Sequence, residues 1–258
     1  MLDEDRIGYS NSNLFRVALV EVIGINNQLL NKEFTQKKQF IVNIKMFRRC
    51  EVIIFVWNML ARGYFFLTGF ALFIGWTAVA LGFNMPFTWF ANHSGPYFMD
   101  QFFIHFSWLA EWTLIVVALS VAIITDWKRG LWMSVLLGIQ ALTVAGIKSW
   151  INAPRPIEIN ANLVRRIPDL EIHHWQAFPS GHTAVGFFTM GLLAICYPKP
   201  FKGKRIVYLF LAMIAIGTGY SRMYLAQHSL VDVCGGGTLA LLFLQFGHRM
   251  GVKLNIHE

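Results

Sequence analysis

The sequence predicts an all-α integral membrane protein, a bundle of six transmembrane helices with its chemistry gathered at the non-cytoplasmic membrane surface. Three observations predict this. The chain is 55% hydrophobic and only 14% charged, where a soluble domain carries about 25% charged residues. Several apolar runs approach the ~20 residues that take a helix across a bilayer. Basic residues crowd the connections on one side and are sparse on the other.

Residues 1–45 are polar and mixed, with Lys32, Lys37, Lys38 and Lys45 toward their end. Residues 14–24 have the pattern of a short amphipathic helix. Met46-Phe47-Arg48-Arg49 reads as a natural start for a membrane protein. The expected division is therefore a polar N-terminal segment, 1–45, and a six-span membrane domain, 46–258. Residues 52–60 are apolar but too short to span. They and the aromatic-rich stretch 97–108 read as interfacial helices, the zone where aromatic rings settle.

The first expected span, 64–83, is uncharged throughout. The second covers 108–125, with Glu111 near one end. The third covers 130–147 and stops at Lys148. A fourth follows His182 to about residue 197. The fifth covers 206–221 and stops at Arg222. The sixth covers 229–247, with Asp232 in its first turn. The fourth and fifth runs are short for a full span, unless polar residues at their ends complete the helices and face the bundle interior.

Orientation follows from the cations. Lys128 and Arg129, the group Lys199, Lys202, Lys204 and Arg205, and the pair Arg249 and Lys253 fall on one side with Arg48 and Arg49. The connection 84–107 on the other side has neither Lys nor Arg. The positive-inside rule then places both termini in the cytoplasm. Arg165 and Arg166 weaken the bias without reversing it. The net charge of +8 reads as orientation and contact with anionic lipid. No nucleic-acid-binding motif is present. Cys50, Cys196 and Cys234 are far apart and sit in or beside apolar segments, so they read as small buried hydrophobes without metal-ligand spacing.

Three polar clusters stand at the ends of apolar runs, and all three fall on the less basic face. They are Lys148 to Pro156, Pro179-Ser180-Gly181-His182, and Ser221-Arg222 followed by His228 and Asp232. Charge at a membrane is costly and marks function by default. Lys148, Arg155 and Arg222 are three cations suited to a multiply charged anion such as phosphate. Singly, each reads equally well as a snorkelling cation at a helix end. His228 and Asp232 are four apart, on one helical face, where a carboxylate can fix the imidazole tautomer and leave the other nitrogen to attack. A satisfied His–Asp pair at a helix start explains that spacing as well. Ser180 suits a helix cap, Gly181 permits close backbone approach, and His182 is placed for proton donation. Glu111, Asp100, His105, His173, His174 and Trp175 are weaker candidates, the last three for contact with a headgroup. Gly235-Gly236-Gly237 reads as a site of close helix packing.

Lys-x6-Arg-Pro, Pro-Ser-Gly-His and Ser-Arg-x5-His-x3-Asp, in this order, resemble the three-motif signature of the type 2 phosphatidic acid phosphatases, membrane relatives of the vanadium haloperoxidases. Every signature position is filled, and the resemblance covers about residues 64–247. It implies a six-span helical bundle with its active site at the outer membrane surface. It further implies His228 as nucleophile, Asp232 orienting it, and His182 as proton donor. Lys148, Arg155, Ser180, Gly181 and Arg222 would hold the phosphate. No metal and no cofactor are implied, and no cluster has zinc or magnesium ligand character.

The expected function is a metal-independent lipid phosphate phosphatase at the outer leaflet of a plasma or bacterial inner membrane. It would act through a phosphohistidine on phosphatidic acid, phosphatidylglycerol phosphate, undecaprenyl pyrophosphate or lipid A phosphate. A phosphotransferase that passes the group to a lipid or sugar hydroxyl is the nearest alternative. A non-enzymatic lipid transporter or scaffold is the alternative from another class, and the completeness of the motifs weighs against it.

Overall fold

The computed structural model describes residues 63–93, 95–168, 170–171, 173–196 and 205–253, all within the compact unit Trp57–Glu258. The expected segment 1–45 with its helix at 14–24, the boundary at 45/46, the interfacial stretch 52–60 and Cys50 lie outside the described residues. Among those described there is no strand. The helices are α1 Gly63–Ala80, α2 Asn84–His93, α3 Tyr97–Glu111, α4 Thr113–Thr125 and α5 Trp127–Ile151. They continue with α6 Pro156–Ile159, a 3-10 turn Ala161–Leu163, α7 Gly181–Cys196, α8 Arg205–Tyr224 and α9 Leu230–Lys253.

Five helical runs are long and apolar enough to cross a membrane: Gly63–Ala80, Tyr97–Thr125, Trp127–Ile159, Arg205–Tyr224 and Leu230–Met250. The protein is an integral membrane protein. The sixth expected span is α7, which has 16 residues. Its shortness has a physical reason. Nearly every residue from Thr183 to Cys196 is buried, because α7 packs against α4, α5, α8 and α9. A helix apolar all round and sheathed by others has its length set by those neighbours rather than by lipid.

Two expected boundaries move. The interfacial helix 97–108 and the second span join into one run that breaks at Trp112, not at residue 108. Neither Pro nor Gly occurs between residues 97 and 125, so nothing in the chain stops a helix at 108. Likewise α5 and α8 do not stop at their cations. Lys148 and Arg222 lie in the last helical turns, where the C-terminal end of the helix dipole favours positive charge. Asn152 then ends α5 at φ 45° with its N–H on the Lys148 carbonyl at 2.9 Å, a left-handed conformation that Asn tolerates better than most residues.

Apolar transfer does little to join helices in lipid, so close approach carries the packing. A methyl group on Gly186 would meet Thr218 at 3.0 Å, and one on Gly191 would meet the Tyr64 ring at 3.0 Å. The Tyr64 hydroxyl donates to the Phe187 carbonyl at 2.7 Å, tying α1 to α7. In the glycine triplet, Gly235 faces the Phe178 ring, Gly237 faces Leu72 and Phe187, and Gly236 lies against the main chain of Ser180 and Ala184. That contact seats the first turn of α7 on α9. Ser180 N–H donating to the Asp232 carbonyl at 2.9 Å secures it.

The start of α9 is capped from two directions. The Asp232 carboxylate accepts from the Ser229 N–H at 2.7 Å and from its hydroxyl at 2.9 Å, a carboxylate reaching back over the first turn. From α2, Thr88 Oγ1 accepts from Leu230 N–H at 3.1 Å and Asn84 Oδ1 from Val231 N–H at 2.8 Å. Free helix-end amides are thereby satisfied by a distant part of the chain.

Gly236→Ala is expected to lower thermal stability by about 1–3 kcal/mol through overpacking and to reduce any activity of the site, because its methyl group meets main chain that cannot swing aside. Gly146→Ala, with nothing within 4 Å of the added carbon, is expected to be neutral or stabilising by up to about 1 kcal/mol. Unfolding midpoints of the two detergent-purified variants check both.

Candidate active site

The three polar clusters converge. The last turns of α5 and α8, the first turn of α7 and the turn before α9 surround a cavity of 390 Å³. Its wall carries Lys148, Arg155, Gly181, His182, Arg222 and His228. Trp112, Ile115 and Val185 form an apolar side, and His173 completes the rim. A space of this size holds more than a phosphate group alone.

Each cation is held from behind. Lys148 Nζ donates to the Gln176 carbonyl at 2.7 Å. Arg155 Nε donates to the Trp175 carbonyl at 3.0 Å, and its Nη1 donates to Gln227 Oε1 at 2.6 Å and to the Gln227 carbonyl at 3.2 Å. Arg222 Nη1 donates to Ser107 Oγ at 2.6 Å. Arg155 and Arg222 are 7% and 8% exposed, so both guanidinium groups are largely out of water.

Local sequence explains these placements. Pro156 is the first residue of α6 and forces Arg155 into an extended conformation, ψ 167°. Arg155 N–H then donates to the His174 carbonyl at 2.9 Å, and Ala177 N–H to the Ala153 carbonyl at 3.0 Å. The connection from α5 to α7 is thus folded back on itself. The turn carrying His228 leaves α8 through Ala226 at φ 53°, a conformation that costs an L residue about 1–2 kcal/mol. Packing of buried Ala226 against Ile157 and Val164 holds it there. The N–H groups of Gln227 and His228 both donate to the Arg222 carbonyl, at 3.0 and 3.1 Å.

His228 is 1% exposed. Burial pushes its imidazole well below the ordinary value of 6.5, and the charges of Arg222, Arg155 and Lys148 push the same way, against a main-chain hydrogen bond with Ala177. The ring is therefore neutral at neutral pH, the form that has a lone pair to offer. His182, the second residue of α7, faces the same cavity.

Two expected contacts are corrected. The Asp232 carboxylate does not hydrogen-bond His228: Oδ2 lies 3.7 Å from Nδ1, beyond hydrogen-bond reach. It is engaged instead by Ser229, as described above. The pair is an electrostatic neighbour, with the carboxylate placed to favour an imidazolium if one forms. Ser180 is fully buried and is not part of the cavity wall. Its hydroxyl accepts from Thr183 Oγ1 at 2.9 Å and from Thr183 N–H at 3.5 Å, so it caps α7 as the sequence suggested. Gly181 and the amide end of α7 are what reach the cavity, an arrangement suited to an anion.

Of the weaker candidates, only His173 reaches the cavity. His174 bonds Glu158, His105 bonds the Gln101 carbonyl within its own helix, and the Glu111 side chain lies outside the described residues. Asp100 belongs to a separate cluster. Arg165 donates to its two oxygens at 2.9 and 2.7 Å, and the Tyr224 hydroxyl donates to Oδ1 at 2.6 Å. Asn92 completes the group, accepting from Arg165 N–H at 2.7 Å and donating to the Tyr224 carbonyl at 2.7 Å. The cluster ties the loop that carries Arg155 to the helix that carries Arg222. Among the described residues, no three His, Cys, Asp or Glu side chains gather in a metal-holding group.

Residues 129–256 match the family model of the PAP2 superfamily. The chain belongs to the PAP2 superfamily. It is 33% identical over 130 residues to phosphatidylglycerophosphatase B of Bacillus subtilis (strain 168), an alignment covering 48% of this chain. The chain spans 60% of that relative's length. The fold is similar to the crystal structure of Aquifex aeolicus LpxE, with a TM-score of 0.55 and 23% identity, over 64% of this chain and 94% of that one. It is also similar to the transmembrane PAP2 type phosphatidylglycerolphosphate phosphatase from Bacillus subtilis, with a TM-score of 0.54 and 21% identity, over 74% and 97% of the two chains.

The PAP2 match contains Lys148, Arg155, His182, Arg222 and His228 but not the helices that brace them. Sequence reasoning missed Ser107, Gln227 and the roles of Asn92 and Tyr224. Gln227 stands next to His228 inside the third motif, and that adjacency was a usable signal. Ser107 and Asn92 gave none, because their partners lie 115 and 132 residues away.

Asp100→Asn leaves the Arg165 charge without its bidentate partner. A loss of about 2 kcal/mol in unfolding stability is expected, on the scale of hydrogen bonds to charged groups. Thermal unfolding in detergent measures it, beside His105→Asn as an exposed control on the same helix.

Proposed function

We propose that the protein is a lipid phosphate phosphatase that forms a phosphohistidine on His228 and needs no metal. The observation that carries this reading is the convergence of Lys148, Arg155, Arg222, His182 and His228 on one cavity. The neutral His228 ring attacks phosphorus, and the bond from phosphorus to the lipid oxygen breaks. His182 supplies the proton to that oxygen. Lys148, Arg155 and Arg222, with the amide end of α7, hold the three equatorial oxygens, whose charge grows in the transition state. Asp232, 3.7 Å from His228, steadies the positive charge that the ring acquires. Water then attacks the phosphohistidine with His182 taking its proton, and inorganic phosphate leaves.

The wall of Trp112, Ile115 and Val185 suits the apolar body of a lipid. Phosphatidylglycerol phosphate is the first substrate to test, because the relative at 33% identity carries the name of a phosphatase for it. Phosphatidic acid, undecaprenyl pyrophosphate and lipid A phosphate complete the panel. In the membrane, the basic connections face the cytoplasm and the cavity faces the periplasm or exterior. The third motif cluster, the α7 turn and the end of α5 then share the outer face of a six-helix bundle.

His228→Ala is expected to lower kcat by about a thousandfold or more, with phosphate release from the four lipids as the measurement. Turnover is expected to survive EDTA and to be inhibited by orthovanadate. A phosphorylated acceptor in place of free phosphate would reassign the protein as a phosphotransferase.

The pH profile carries a further expectation. A ring with a lowered pKa stays neutral as pH falls below 6.5, so the acid limb of kcat/KM lies below that value. Arg222→Gln removes the largest of the three cationic contributions. The limb is expected to move toward 6.5 in that variant while the maximum rate falls.

A further inference from the structure

We infer that Ser107 is the positioning residue for Arg222, and that its being uncharged is part of its role. Resting on the phosphatase reading, this adds to the site a residue from α3, outside residues 129–256 that match the family. Nothing in the three motifs points to it.

The geometry is direct. Arg222 Nη1 donates to Ser107 Oγ at 2.6 Å, with Ser107 3% and Arg222 8% exposed. Arginine has four rotatable side-chain torsions before its planar head, and a buried guanidinium aimed at a ligand needs a fixed point. A single hydroxyl on a neighbouring helix supplies one. It leaves the other edges of the guanidinium fork to face the cavity, whose wall Arg222 helps form.

The acceptors that aim the other two cations are of the same kind. Lys148 is held by a peptide carbonyl, and Arg155 by two peptide carbonyls and the Gln227 amide oxygen. A hydroxyl or an amide fixes a cation without cancelling its charge. A carboxylate at the same place would fix it equally well, but it would compete with the substrate phosphate for the same positive charge. The contrast with Arg165 is instructive. That arginine, outside the cavity, is matched in bidentate fashion by Asp100 and acts as a structural tie. Neutral partners belong to the arginines that take an anion.

The consequence separates aim from charge. Ser107→Ala keeps the charge and loses the aim. Ser107→Asp keeps an acceptor and lowers the charge available to a ligand. Ser107→Thr keeps both. Three quantities are read on each purified full-length variant: kcat/KM on the lipid substrate, inhibition by orthovanadate, and the rise in unfolding temperature that orthovanadate produces. Ser107→Ala is expected to weaken vanadate binding and kcat/KM together by about tenfold, the scale of one hydrogen bond to a charged group. Its unfolding temperature without vanadate is expected to stay near that of the wild type. Ser107→Thr is expected to restore at least half of the lost binding on a logarithmic scale. Ser107→Asp is expected to bind vanadate more weakly than Ser107→Ala, even if it unfolds at a higher temperature.

Wild-type vanadate affinity in Ser107→Ala would overturn the positioning role. Vanadate binding by Ser107→Asp equal to or tighter than that of Ser107→Ala would overturn the part played by neutrality. If Ser107→Ala fails to fold, the comparison of Thr with Asp still decides. Should the wild type bind vanadate but release no phosphate from any lipid, the phosphatase reading fails, while the vanadate-induced stabilisation still tests Ser107. A wild type that vanadate neither inhibits nor stabilises sinks both.

Discussion

Lys148, Arg155 and Arg222 carry like charge into one cavity, and two of them are almost out of water, so the chain must hold them together against their mutual repulsion. Much of the architecture around the cavity answers that demand. The connection between α5 and α7 doubles back so that its own carbonyls face Lys148 and Arg155. The turn after α8 accepts a left-handed alanine, which puts Gln227 under Arg155 and His228 at the wall. The same cations act on His228, holding its ring in the neutral form. One electrostatic arrangement thus attracts an anion and keeps the nucleophile ready for it.

The bilayer adds a second demand, that backbone groups and packed faces be satisfied within the protein. Here α7 is the inner helix. Surrounded by α4, α5, α8 and α9, it brings only its N-terminal end to the cavity and buries the rest. Glycines at the crossings let its neighbours approach closely, and Gly236 lets the turn before α7 lie directly on α9. The phosphate-facing amide end of α7 is consequently fixed by main chain against main chain, with no side-chain rotamer in between.

The fold class was legible because apolar runs of bilayer length are a coarse signal, carried by many residues at once. The positions of Lys148, Arg155, His182, Arg222 and His228 were legible because each motif is local and each ends a helix. Boundaries were less so. Lys148 and Arg222 looked like stops from their charge alone, yet a helix end tolerates a cation and the backbone simply continued. The Asp232 contact was misread for a related reason. Spacing of four shows which face a carboxylate occupies but not which neighbour it binds, and the closer Ser229 took the bond. Ser107, Asn92 and the caps from Asn84 and Thr88 act across more than a hundred residues of chain. No spacing rule reaches that far.

The capping of α9 by α2 has a consequence for what counts as the working unit. The amides of Leu230 and Val231 lie only two and three residues beyond His228, and their acceptors are Thr88 and Asn84, well before the segment that matches the family. A fragment cut at the edge of that match would keep every residue of the three motifs. It would nevertheless lose the acceptors that anchor the helix next to the nucleophile. The recognisable half of the chain therefore carries the reactive groups, and the unrecognised half is the jig that sets their spacing, so the two cannot be separated without blunting the tool.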